Sequence, residues 1–279
     1  MSWLLVADSS CEIKGGFPCV SSAQFATVPL KIRIGDQEYV DDDNLDLEEM
    51  LQAMGSFDGP SSSACPSPEE WAAQFEQADH VLAVTMTSAL SGTYNSAVVA
   101  RDLVLEAHPE KKIYIFDTLS IGGQMVLLLR YLDQLIAQGL PFEKIVEKGQ
   151  AYNKKIHLLF TLASFENLVK NGRMNRVVGM IASKLNIRAI GIASEKGKIE
   201  LLHKARGEVR TLEKVVEEMQ KLGLSPSRTV EISQCKNEKG AQLLRSMIQA
   251  NFPGVTVNIR PCCGLTSYYA EESGMIIGF

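Results

Sequence analysis

Histidine is scarce in this chain, and the spacings that usually announce chemistry are absent. The four histidines, His80, His108, His157 and His203, are scattered through 279 residues without metal-ligand spacing, so a histidine metal centre has no support. The six cysteines include one vicinal pair, Cys262-Cys263, and no C-x-x-C; this predicts free thiols in a reducing compartment. The phosphate-cradling pattern G-x-x-x-x-G-K-[ST] is missing, and Gly122-Gly123 lacks the companions of a dinucleotide fingerprint, so the chain is expected to have no ATP site of its own. Ser91 follows Leu90 rather than the G-x of a nucleophile elbow. Asp41-Asp42-Asp43 lacks the later glycine and glutamate of a calcium loop and reads as a solvated turn. No apolar run is long enough to cross a bilayer. The opening MSWLLVADSS has no basic segment before its short apolar run, unlike a secretion signal, and the expectation is a cytoplasmic protein. A net charge of -5 argues against binding along a nucleic-acid backbone.

What is present is apolar content: 46% hydrophobic residues, of which few are aromatic. A well-filled core, or a core holding an apolar cavity, accounts for it. Strand-like runs at Trp3 to Ala7, Val81 to Met86 and Lys112 to Phe116 alternate with helical patterns at Glu69 to Gln77, Ser96 to Ala107 and Gln124 to Gln138. That rhythm predicts an α/β layer with parallel strands. Ser67-Pro68-Glu69-Glu70 combines a capping serine, a first-turn proline and a glutamate three residues after the cap, which predicts a helix start fed by a loop at Pro60 to Cys65. After Ile156 the texture changes. Leu185 to Ala193 and Ile199 to His203 flank Glu195-Lys196-Gly197-Lys198 and predict a hairpin. Helical patterns at Val209 to Leu222 and Lys239 to Asn251 precede strands at Val255 to Arg260 and Gly274 to Phe279. The expectation is two domains, 1–155 with a parallel sheet and 156–279 of α+β type.

Three expected strand ends carry small polar residues: Asp8-Ser9-Ser10, Thr87 to Thr93 and Asp117 to Ser120. The stretch TSALSGTYNSA, Thr87 to Ala97, packs six hydroxyls into eleven residues. In an open parallel sheet ligands sit beyond the carboxyl ends of the strands, and a helix beginning after Ser91-Gly92 suits an anion. Helix capping alone explains any single serine; three polar strand ends together point to a site for a carboxylate or phosphate.

The motifs themselves resemble those of the DegV family of bacterial fatty-acid-binding proteins. The matching pieces are Ala7-Asp8-Ser9-Ser10, Val28-Pro29-Leu30 with Gly35 to Asp42, Ser63 to Trp71, Leu90 to Ala97, Asp117 to Gly123, Glu166 to Met174, Leu185 to Ile190 and Lys204 to Gly207. The resemblance implies a DegV-like two-domain protein with a lipid tunnel between the domains. It implies a bound long-chain fatty acid as ligand, with no cofactor, metal or catalytic residue in this chain. It also implies a partner, a separate ATP-dependent fatty acid kinase subunit that phosphorylates the acid for phospholipid synthesis. The carboxylate positions map to Ser63, Ser91 and Gly92, and the kinase or phosphate contacts to Arg173 and Arg206. Two departures stand out. The usual T-S-Q-P loop reads Ser63-Ala64-Cys65-Pro66, and Thr266 occupies the place of a carboxylate-binding histidine, so pH dependence through histidine is not expected. The readings set beside this one are a serine-dependent acyl hydrolase or transferase using Ser91, and a lipid-sensing regulatory protein. The leucine-rich stretch Gln124 to Gln138 faces core, tail or both; core is the commoner role of such a stripe.

Overall fold

The computed structural model describes residues 1–175 and 186–279; Leu185, the first residue of the expected hairpin, lies outside them. Four parallel strands, β1 (Trp3–Asp8), β2 (Gln24–Val28), β6 (His80–Thr85) and β7 (Lys112–Asp117), form a sheet in the order β2-β1-β6-β7. The runs β1 and β6 are buried on both faces from their second residue onward, which is why they read as continuous apolar stretches rather than alternating ones. Leu4, Val6, Val81 and Ala83 face a core shared with Trp71 and Ala97, while Leu5, Ala7, Leu82 and Val84 face one built around Met125 and Leu128. The first group packs under helices α2 (Pro68–Phe75) and α3 (Thr93–Ala107), the second under α4 (Gly123–Ala137) and α5 (Phe142–Asn153); α1 (Leu47–Ser56) lies earlier in the chain. The capping box at Ser67 and Glu70 is present as the sequence predicts.

Pro60 to Cys65 is a correction. Instead of a plain loop, Ser61–Ala64 is strand β5, paired antiparallel with β3 (Lys31–Ile34), which also pairs with β4 (Gln37–Val40). Four small residues carry no apolar period; backbone pairing with β3 alone makes them a strand. Asp41 is a second correction. It is buried, not solvated, and accepts hydrogen bonds from Ser9 Oγ at 2.9 Å, Gly264 N at 2.6 Å and Leu265 N at 3.0 Å. Gly264 is required there, because a Cβ would meet Asp41 Oδ1 at 2.8 Å.

The remainder forms a mixed six-stranded sheet, β10-β9-β8-β13-β11-β12. Its members are β8 (Leu158–Leu162), β9 (Ile187–Ala193), β10 (Ile199–Arg206), β11 (Thr229–Gln234), β12 (Thr256–Pro261) and β13 (Met275–Gly278). The hairpin of β9 and β10 forms as expected. Helices α7 (Glu208–Lys221) and α8 (Glu238–Asn251) cover one face through Leu212, Val215, Leu244 and Ile248, against Leu159 and Ile277. Two short helices, α6 (Glu166–Lys170) and α9 (Gly264–Ala270), sit with Phe160 and Ile276 on the other face. That second face looks toward the parallel sheet. Between the described residues no helix is long and apolar enough to cross a membrane.

Candidate functional site

Within the parallel sheet β1 is followed by β2 on one side and β6 lies on the other, so the strand order switches direction beside β1, the place where such sheets open a crevice at their carboxyl ends. A cavity of about 320 Å³ lies there. Its floor is apolar: Leu158, Phe160 and Leu162 of β8 and Ile276 of β13. The opposite wall comes from the loops after β6 and β7, with Met86, Leu90, Leu119 and Ile121. Alternation along β8 sends Leu158, Phe160 and Leu162 to this side and Leu159 to the core beneath α7 and α8. No residue of α4 lines the cavity, and its leucines belong to the core instead.

Ser63, Ser91, Gly92, Thr266 and Arg173 all line this cavity. β5 delivers Ser63, the turn before α3 delivers Ser91 and Gly92, and α9 delivers Thr266. Gly92 caps α3 without a side chain, and a Cβ there would meet Cys65 Sγ at 3.2 Å. Cys65, the departure from the family loop, therefore packs against Gly92. Ser91 Oγ lies 3.0 Å from Thr93 Oγ1 and accepts from Thr93 N at 3.3 Å. Among the described residues lining the cavity there is no histidine. Arg206 is placed differently. It is exposed at the end of β10 and is not among the residues lining the cavity.

The hydroxyl-rich stretch divides its work. Thr87 Oγ1 donates to Gly197 O at 2.9 Å and Ser96 Oγ donates to Pro66 O at 2.6 Å; of the stretch's hydroxyl residues, Thr87 and Ser91 line the cavity. The Thr87 bond docks the β9–β10 turn on the loops of the parallel sheet. Gly197 has φ +70° there, and a Cβ would meet Thr87 Oγ1 at 2.1 Å and Leu119 Cα at 3.1 Å. We therefore expect Gly197→Ala to lift this turn and cost about 1 to 2 kcal/mol, measured by denaturant unfolding against wild type.

Tyr269 is a site residue the sequence reading missed. Its hydroxyl meets Ser63 Oγ at 2.7 Å. Burial pushes its pKa up, against the Ser63 hydrogen bond and the neighbouring Arg173 guanidinium. Ser63, Tyr269 and Arg173 thus form a polar line. Arg173 also borders an adjoining, more open cavity of about 530 Å³, together with Leu90, Lys198 and Ile199. Asp8 accepts from Ser10 N at 3.1 Å and Met86 N at 2.7 Å, tying the ends of β1 and β6 together; burial raises its pKa to about 6, despite these bonds. Among the described residues no group of three or more His, Cys, Asp or Glu is arranged to hold a metal ion.

The family model described as "Uncharacterised protein, DegV family" matches residues 2–275. A DegV domain-containing protein of Streptococcus pneumoniae is 43% identical over 279 residues, covering 100% of this chain and 99% of the relative. The crystal structure of the Streptococcus pneumoniae fatty acid kinase (Fak) B3 protein, loaded with linoleic acid, is 42% identical. It superposes with a TM-score of 0.96 and covers 100% of this chain and 99% of that one. A DegV family protein from Eubacterium eligens, loaded with heptadecanoic acid, is 37% identical with a TM-score of 0.94, covering 99% of each chain. With the family model spanning nearly every residue and relatives of this identity matched end to end, the chain belongs to the DegV family.

Proposed function

We propose that this protein binds one long-chain fatty acid in the cavity between its parallel sheet and its six-stranded mixed sheet and presents the carboxylate to a separate ATP-dependent kinase subunit. The observation that carries the reading is the cavity itself: apolar strands along its length and a cluster of hydroxyls, one glycine cap and one arginine at one end. Its volume of about 320 Å³ falls in the range of small-molecule sites, roughly 300 to 1,000 Å³. The relatives that hold linoleic and heptadecanoic acids share this fold over their full length.

Magnitudes assign the work. A tail burying about fourteen methylenes gains roughly 11 kcal/mol before association costs, at about 0.8 kcal/mol each. One hydrogen bond to a charged group adds roughly 1.5 to 3 kcal/mol. The tail sets affinity; Ser63, Ser91 and the amide end of α3 set which end of the acid reaches the mouth. Arg173, beside Tyr269 at the junction of the two cavities, suits bidentate contact with a phosphoryl group as it is added. Arg206, outside the cavity lining and exposed, suits a contact with the kinase surface rather than with the acid. The protein supplies no ATP site in this scheme, and the setting is the cytoplasm.

Ser91→Ala tests the orientation role. The expected result is a loss of affinity of about tenfold to a hundredfold, the value of one hydrogen bond to a charged group, with a larger loss in acyl-phosphate formation when a fatty acid kinase subunit and ATP are added. Acyl-phosphate formation equal to wild type would remove Ser91 from the cradle.

A further inference from the structure

Glu12 and Thr266 are buried neighbours beside the cavity, and Glu12 Oε1 and Thr266 Oγ1 lack a well-formed hydrogen bond. Glu12 is 3% exposed and Thr266 is 2% exposed. Glu12 Oε2 accepts from the backbone N–H of Cys263 at 2.5 Å, whereas neither Glu12 Oε1 nor Thr266 Oγ1 has a partner of good geometry. The Thr266 hydroxyl nevertheless neighbours the Glu12 carboxyl closely enough to favour its ionised form. Buried polar groups in native proteins are almost always paired; of these two residues Thr266 alone reaches the cavity wall, with Glu12 behind it, so a group entering the cavity is placed to complete the arrangement through Thr266. Thr266 touches both Glu12 and the cavity; a bound anion is the third member.

We propose, resting on the fatty-acid reading above, that Glu12 is a positioning residue of the head-group site. Its protonated carboxyl donates to Thr266 Oγ1, so that Thr266 gives its own proton to the bound carboxylate. In this state all the groups are satisfied: Oε2 accepts from Cys263 N–H, Oε1–H donates, and the threonine hydroxyl both accepts and donates. When Glu12 ionises, its proton passes to solvent. Thr266 then turns its proton back to Oε1, the cavity loses a donor, and a negative charge stands behind the carboxylate.

The surroundings keep Glu12 neutral in the ordinary range. Burial raises its pKa to about 8, opposed by the bonds from Thr266 and Cys263 and by Arg260 of β12, and reinforced by Asp41 at the end of β4. Arg260 pairs through Nη2 with Glu231 at 2.5 Å and meets Glu12 only at its backbone, Nη1 donating to Glu12 O at 3.4 Å. The other titratable neighbours are Cys11 on the same turn, Cys235 after β11, and Cys262 and Cys263 before α9, each coupled to Glu12 and each raised above the ordinary thiol value by burial. They stay neutral while Glu12 titrates. Lys14, which acts on Asp41 and Cys263, completes the set. For an acid whose pKa is raised in the folded protein, the contribution of the neutral form is complete at low pH and is lost as pH rises through the raised value. Binding should therefore weaken on the alkaline side.

The test is titration of a fluorescent long-chain fatty acid into the delipidated full-length protein at about pH 7 and about pH 9, with wild type, Glu12→Gln and Thr266→Val. The glutamine keeps an acceptor for Cys263 and a donor for Thr266 but cannot ionise. Wild type is expected to lose affinity several-fold at the higher pH, Glu12→Gln to bind equally at both, and Thr266→Val to bind weakly at both. A Glu12→Gln or Thr266→Val profile that falls in parallel with wild type overturns the relay and moves the titration to another group. Wild-type affinity equal at both pH values overturns it as well. Failure of all three folded proteins to bind the acid at either pH overturns the fatty-acid reading beneath it.

Discussion

Ala193→Trp is expected to abolish fatty acid binding and leave the protein folded. Ala193 closes strand β9 on the cavity wall, where it is only partly buried. An indole projecting from it occupies the space the acyl chain requires. Displacing about five methylenes at about 0.8 kcal/mol each removes about 4 kcal/mol, close to a thousandfold in affinity. The cost to folding is smaller, about 1 to 3 kcal/mol for an overpacked site, and the partial exposure of Ala193 lets the ring yield toward the opening. Binding is read by displacement of a fluorescent fatty acid and folding by circular dichroism. Tight binding in the variant would place the acyl chain somewhere other than this cavity.

Asp41→Ala should be the more damaging change to the fold. Its carboxylate is the one acceptor that Ser9 Oγ, Gly264 N and Leu265 N share, and the residue is 2% exposed. Truncation leaves three donors buried without a partner. A penalty of about 3 kcal/mol or more follows from stranding groups of this kind, with a fall in Tm of about 6 °C or more. Because the bond joins the end of β4 to the start of α9, the variant should also loosen Thr266 and Tyr269, which α9 carries into the cavity. Asp41→Asn keeps one acceptor oxygen and should fall between wild type and alanine. Thermal unfolding of the three proteins, free of ligand, checks the order; an alanine variant as stable as wild type would mean that the three donors find other partners.

The parts of this fold that the sequence announced are those whose local pattern and tertiary role agree. Strands β1 and β6 are apolar throughout because both faces are covered, and the Ser67-Pro68 start is a helix signal whose two hydrogen bonds are local. The same holds for the turn at Glu195 to Lys198, which joins two paired strands. Elements that depend on distant partners were silent. Ser61–Ala64 is a strand only because β3 lies beside it, and Asp41 is buried only because α9 docks its amides there. Nothing in an acidic triplet distinguishes that from a solvated turn.

The site was legible in a similar, partial way. Polar residues at the ends of strands that read as parallel marked one wall of the cavity, and Ser63, Ser91, Gly92, Thr266 and Arg173, which the family resemblance picks out, line the same cavity. Arg206 does not line it, since β10 carries its side chain to the surface beyond the cavity rim. The apolar lining of the cavity was hidden by its ordinariness: all five residues of β8 are buried and nearly all are apolar, so the sequence cannot tell the cavity side from the core side. Tyr269 was hidden for a different reason. It follows another tyrosine in a helix of seven residues, too short for a periodic face, and its hydrogen bond to Ser63 joins positions 206 residues apart.

Fatty acid occupancy is the claim on which the rest depends, and native mass spectrometry of the purified protein, followed by solvent extraction and lipid analysis, reads it directly. The account predicts one adduct per chain with the mass of a saturated or unsaturated long-chain fatty acid, recovered as the free acid in the extract. A protein that carries no such adduct and takes up none when fatty acid is supplied would be incompatible with it.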